Sequence, residues 1–72
     1  MKNLEVAELL NEIADYLEFA NEPFKVRAYR KAALVIEGLS EDIEQVWKEN
    51  RLTDLPGIGE GISKKIDEFL KT

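Results

Sequence analysis

Apolar residues in this chain return every three or four positions and nowhere alternate one by one. That spacing lines one side of a helix, whereas a half-buried strand needs period two and β-branched runs that are missing here. The pattern predicts an all-α fold of four helices. The first starts after Asn3 as N-cap and runs to about Phe19. Val6, Ala7, Leu10, Ile13, Ala14 and Leu17 form its apolar stripe, and Glu5, Glu8, Glu12, Asp15 and Glu18 its polar face. The segment ANEPF breaks the pattern, and Pro23 suits the first turn of a second helix. That helix runs to about Leu39 and is ended by Gly38, with Val26, Tyr29, Ala33 and Ile36 inward. Ser40 is the expected N-cap of a third helix, SEDIEQVWKEN, which turns Ile43, Val46 and Trp47 inward. Thr53 caps a single turn before Pro56, and the last helix spans about Gly59 to Lys71. With no repeat and no low-complexity linker, the expectation is one compact orthogonal bundle over residues 1–72.

Absent residue types narrow the chemistry. The chain has no cysteine, hence no disulfide, thiol nucleophile or zinc-thiolate site. It has no histidine, the usual general base and transition-metal ligand. Ser40 and Ser63 are its only serines, with nothing to activate either. Covalent chemistry would fall to lysine, tyrosine or carboxylates. No apolar run is long enough for a bilayer and no signal segment opens the chain. The expectation is a soluble, monomeric intracellular protein, cytoplasmic or in the nucleoid.

The formal net charge is −5, but it is unevenly spread. Residues 23–36 carry Lys25, Arg27, Arg30 and Lys31 and no acid, while both flanking regions are acidic. Screening limits a charge's reach to about 8 Å at physiological salt, so a local cationic face can still meet phosphate. The alternative is that these cations pair with the acidic first helix as solvated surface bridges.

LPGIGEGI, residues 55–62, is more particular. Gly57 and Gly59 flank one apolar residue, leaving backbone amides uncovered just where a helix begins. Orphan amides and the positive end of the helix dipole make a phosphate site that needs no basic side chain. Pro56 stiffens the turn, and Ile58 points inward to anchor it. Downstream, Ile58, Ile62, Ile66, Phe69 and Leu70 form one apolar arc. Lys65 sits on its rim, whereas Lys64 lies nearly opposite, where it can pair with Glu68.

This hairpin resembles the helix-hairpin-helix motif, a sequence-independent binder of the DNA backbone. The resemblance extends to LNEIADYLEFA, NEPFKVRAYRKAA, EDIEQVWKENRL and LPGIGEGISKKIDEFL, which together look like the amino-terminal domain of family X DNA polymerases. It implies binding of gapped or nicked duplex at the 5′-phosphate, in the setting of base excision repair and gap filling. The rest of a polymerase would belong to a longer chain, because 72 residues leave no room for its catalytic centre. By the same resemblance, Lys65 matches the Schiff-base nucleophile with which repair members remove a 5′-deoxyribose phosphate by β-elimination. Lys25 and Tyr29 match residues around the 5′-phosphate, and Arg30 and Lys31 would touch the DNA backbone. The amides around Gly57, Gly59 and Glu60 would meet phosphate. The carbonyls of Thr53, Leu55 and Ile58 would hold Na⁺ or K⁺ when DNA is bound, and no other cofactor is implied.

Read from the residues alone, Lys25 is a first-turn lysine with its stem on the surface, and Tyr29 a core aromatic with a wet hydroxyl. The chain also departs from the repair lyases. Gly61 stands where they carry a phosphate-binding lysine, Lys64 where they carry an acid, and Phe24 where the best-known vertebrate member has a polar residue. These departures weaken the expected phosphate grip. The reading from a different class is a non-catalytic structural or protein-interaction helical domain.

Overall fold

Residues Asn3–Phe19 form α1 in the computed structural model, which describes the chain from Met1 to Thr72. Val6, Ala7, Leu10, Ala14 and Leu17 are buried as the stripe requires, but Ile13 is only half-buried. Asn3 does not cap this helix. It lies inside the first turn with its side chain turned to another element, where Oδ1 accepts from the Ile43 amide at 2.8 Å and Nδ2 donates to the Glu41 carbonyl at 2.7 Å. An amide buried to 6% exposure has to find both a donor and an acceptor, and the chain before Ile43 offers both. α1 ends on Asn21, which adopts φ 61°. The Glu22 amide reaches the Leu17 carbonyl and the Asn21 amide reaches Glu18, the hydrogen-bond pair of a Schellman cap.

α2 covers Pro23–Glu37, with Pro23 in its first turn. Ala32 joins Ala33 and Ile36 in the core, while Val26 and Tyr29 are half-buried. The helix stops at Glu37, two residues before the expected end. Gly38 has φ −88°, so it terminates the helix without a left-handed turn. Only Ala20–Glu22 separate α1 from α2, a connection short enough to make them antiparallel neighbours, and theirs is the main helix–helix contact.

α3 is short, Ile43–Lys48, and its N-cap is Asp42 rather than Ser40. The Asp42 carboxylate accepts from the Glu44 amide at 3.1 Å. Its start is set by Ile43, whose side chain is fully buried and whose amide is held by Asn3. A second Schellman cap closes α3 at Asn50, φ 57°, with the Arg51 amide on the Val46 carbonyl. A 3₁₀ turn follows at Leu52–Asp54, with Thr53 inside it and making no capping bond. α4 spans Glu60–Lys71 with Gly59 at its N-cap position.

Val6, Leu10, Ile36, Ile43, Val46 and Ile66 are fully buried where the four helices meet. Each such side chain is worth about 1.5–3 kcal/mol on leaving water. Trp47, half-buried, ties α3 to α4 by donating its indole N–H to Asp67 Oδ1 at 2.7 Å. The radius of gyration, 11.3 Å, is that of a close-packed chain of this length. The fold contains no strand, and no helix is long and apolar enough to cross a membrane.

Candidate functional site

The hairpin is built around one tight turn. The Ile58 amide donates to the Leu55 carbonyl at 3.1 Å across Pro56 and Gly57. Gly57 has φ +82°, which makes this a type II turn with proline and glycine in their preferred places. Ile58, 3% exposed, pins the turn to the core. Beyond it the first helical bond of α4 runs from the Ser63 amide to the Gly59 carbonyl at 2.9 Å. The amides of Gly57, Gly59, Glu60 and Gly61 therefore donate to no protein group. Apart from the adjoining chain, nothing lies within 4 Å of the position a Cβ would take on Gly59 or Gly61, so this face is open.

Next to it is a groove of about 830 Å³. α2 contributes Lys25 and Tyr29, the hairpin contributes Gly57, Gly59 and Gly61, and α4 contributes Ile62 and Lys65. Residues far apart in sequence thus share one concave surface with the free amides. Lys25 is 61% exposed and sits 3.4 Å from Glu22. Lys65 is half exposed, and its nearest charge is the Glu68 carboxylate at 3.9 Å. The expected pairing of Lys64 with Glu68 does not form. Glu68 lies one helical step round toward Lys65, and the two meet at i,i+3.

The helix-hairpin-helix domain family matches the chain over residues 1–72. The chain belongs to that family. It is also 35% identical, over 71 residues, to the N-terminal region of the DNA polymerase/3′-5′ exonuclease PolX of Bacillus subtilis (strain 168), a family X DNA polymerase. The alignment covers 97% of this chain and 12% of the relative, so the chain spans only a small part of that protein's length. No solved structure matches the chain.

Within this helix-hairpin-helix domain the cations of α2 divide into two sets. Arg30 turns away from the groove and is held by α1. It reaches Asp15 at 2.6 Å, Glu18 at 3.4 Å and the Asn11 side chain at 3.1 Å. The hydrogen bond that Arg30 donates to Asp15, opposed by partial desolvation, raises the guanidinium's already high pKa. For this residue the surface-bridge reading describes the geometry. Lys31 instead runs its stem past Gly57, and with Phe24, Arg27 and Ala28 it lines a second depression. Glu60 is exposed in the first turn of α4, and the Thr53 and Ile58 carbonyls accept no backbone hydrogen bond.

Leu9, Glu12, Ile13 and Tyr16 of α1, none of them expected there from the sequence, form a further wall of the groove. Leu9, Ile13 and Tyr16 stand at i, i+4 and i+7, a second stripe beside the core stripe. That spacing was the available signal. It merges with the core pattern because Ile13 fits both.

Proposed function

We propose that the chain is a DNA-binding module that grips the backbone of gapped or nicked duplex at its 5′-phosphate, as part of a longer polymerase acting inside the cell. The observation that supports this most is the convergence of Lys25, Tyr29 and Lys65 with the unbonded amides of the hairpin around one groove. An anion there meets two ammonium groups and several N–H donors at the positive end of α4. Every one of these contacts reads backbone rather than base edges, so binding is independent of sequence. Net charge of −5 keeps long-range attraction weak, and affinity is accordingly modest.

The Thr53, Leu55 and Ile58 carbonyls suit a monovalent cation, because they are neutral oxygen donors and two of them are free of backbone bonds. A cation held there would add positive charge beside the bound phosphate. The residues fit that role without any acidic cluster.

Salt dependence tests the binding reading against a protein-interaction role. Affinity for a gapped, 5′-phosphorylated duplex is expected to fall steeply and log-linearly with salt, as phosphate neutralisation requires. Affinity that is flat in salt would exclude it.

A second reading, 5′-deoxyribose phosphate lyase activity, is favoured by Lys65 lining this same groove. Its amine would attack C1′ of the sugar and lose water to form the Schiff base. Loss of a C2′ proton then breaks the C3′–O bond, and hydrolysis frees the lysine. Against it, Lys65 is half exposed and lies 3.9 Å from the Glu68 carboxylate, whereas Schiff-base lysines are commonly desolvated. Borohydride trapping on an incised abasic 5′ end decides it. An adduct that disappears in Lys65→Ala establishes the lyase, and no adduct with the native chain leaves a binding module.

A further inference from the structure

The groove is larger and greasier than a phosphate requires. A phosphate is only a few water molecules in bulk, each about 30 Å³ in the liquid, whereas the groove offers about 830 Å³. That size belongs with sites that enclose a whole small organic ligand. Its lining is mixed and divides by element. Lys25, Lys65 and the hairpin glycines come from α2, the hairpin and α4, together with Ala28, Tyr29 and Ile62, whereas Leu9, Ile13 and Tyr16 come from α1. Leu9 and Ile13 remain half-buried, and Tyr16 is 69% exposed, so this wall holds apolar and aromatic surface that the fold leaves uncovered. Glu12, also from α1, adds one carboxylate to the lining.

We propose that the groove takes a complete, unpaired 5′-terminal nucleotide, with its phosphate on the amides and lysines and its base against Leu9, Ile13 and Tyr16. This rests on the 5′-phosphate reading and extends it to the base. A ligand that is anionic at one end and flat and apolar at the other suits a groove whose lysines and free amides come from α2, the hairpin and α4 and whose α1 residues are mostly apolar. A paired terminal nucleotide keeps its base in the duplex stack and leaves the α1 wall facing water. An unpaired one has little stacking to give up, so preference for it arises without any base-edge reading. Tyr16 supplies a face on which any base can stack, which makes the preference tolerant of sequence.

The test uses two gapped duplexes, both 5′-phosphorylated on the downstream strand, whose first nucleotide is either paired or mismatched. The native chain is expected to bind the mismatched end about tenfold more tightly, toward the lower end of what one base–aromatic stack is worth. Tyr16→Ser and, separately, Leu9→Gln should bring the two affinities together by weakening binding to the mismatched end. Tyr16 is exposed enough for its substitution to spare the fold, and circular dichroism checks both variants. Equal affinity for the two ends, or a preference that survives both substitutions, overturns the proposal. A 5′-hydroxyl version of each duplex separates the two failures. If the phosphate does not matter, the underlying reading falls and this one with it. If the phosphate matters and pairing does not, only the base-binding proposal falls.

Discussion

The aliphatic stem of Lys31 lies against Gly57, its Cγ 3.8 Å and its Cδ and Cε 3.9 Å from the point a Cβ on that glycine would occupy. The contact joins the cationic helix to the hairpin and separates the roles of the two hairpin glycines. Gly57, at φ +82°, needs its glycine for the backbone; Gly59, at φ −84°, does not. Gly57→Val should lose about 1–2 kcal/mol from left-handed strain, and more as its methyls press on Lys31. Gly59→Val should carry only the smaller cost of a β-branched residue at an N-cap yet bind DNA poorly, because its methyls cover the free amides. Paired urea and DNA titrations check this. Equal destabilisation by both would contradict it.

Arg30 and Lys31 are neighbours in different surroundings, the first held by the acids of α1 and the second running past Gly57. Arg30→Ala removes the link to Asp15 and Glu18 and should lower the melting temperature while leaving DNA affinity unchanged. Lys31→Ala should cost only the small stability of its stem's contact with Gly57 and reduce the slope of log affinity against log salt by about 1, one phosphate contact's worth. Melting curves and salt titrations on both variants read the difference directly.

Gly61 lines the groove, and a side chain there would meet open space. Gly61→Lys should therefore be accommodated without strain and add a phosphate contact, steepening the salt slope by about 0.9 on duplex DNA. It also removes a helical glycine, a change worth up to about 1 kcal/mol of stability in a helix interior and less in this first turn. Unchanged DNA affinity would mean that the groove does not hold phosphate.

Acid should loosen the α3–α4 contact. The Trp47 indole hydrogen bond, and then the Lys71 ammonium, hold the Asp67 carboxyl below its ordinary value of 3.8. A depressed carboxylate contributes stability that is complete above its ordinary value and disappears as pH falls through the lowered one. Trp47 fluorescence followed below about pH 4 should report this loss, and Asp67→Ala should remove its pH dependence while lowering stability at neutral pH.

Helix existence was legible in the sequence because a three- and four-residue apolar recurrence has no other economical solution. The hairpin was legible for a different reason: Pro56 and Gly57 each favour one backbone geometry, and a type II turn satisfies both. Helix ends were harder. Asn21 and Asn50 both take left-handed conformations and close α1 and α3, a role asparagine fills less commonly than glycine, while Gly38 closes α2 without one. Asn3 looks like a cap because nothing local reveals that its partner is Ile43, forty residues away. The site divides in the same way. Lys65 followed from its place on one helical wheel, but the α1 wall depends on how far α4 stands from α1. The fate of Arg30 required knowing which face of α2 meets the acids of α1.

One comparison bears most directly on the groove: affinity for a gapped duplex carrying a 5′-phosphate against the same duplex ending in a 5′-hydroxyl. The phosphate should tighten binding, and Lys25→Ala should shrink that advantage while leaving affinity for the hydroxyl end intact. Equal affinities for the two ends would mean that the amides of the hairpin and the lysines around them do not form a 5′-phosphate site.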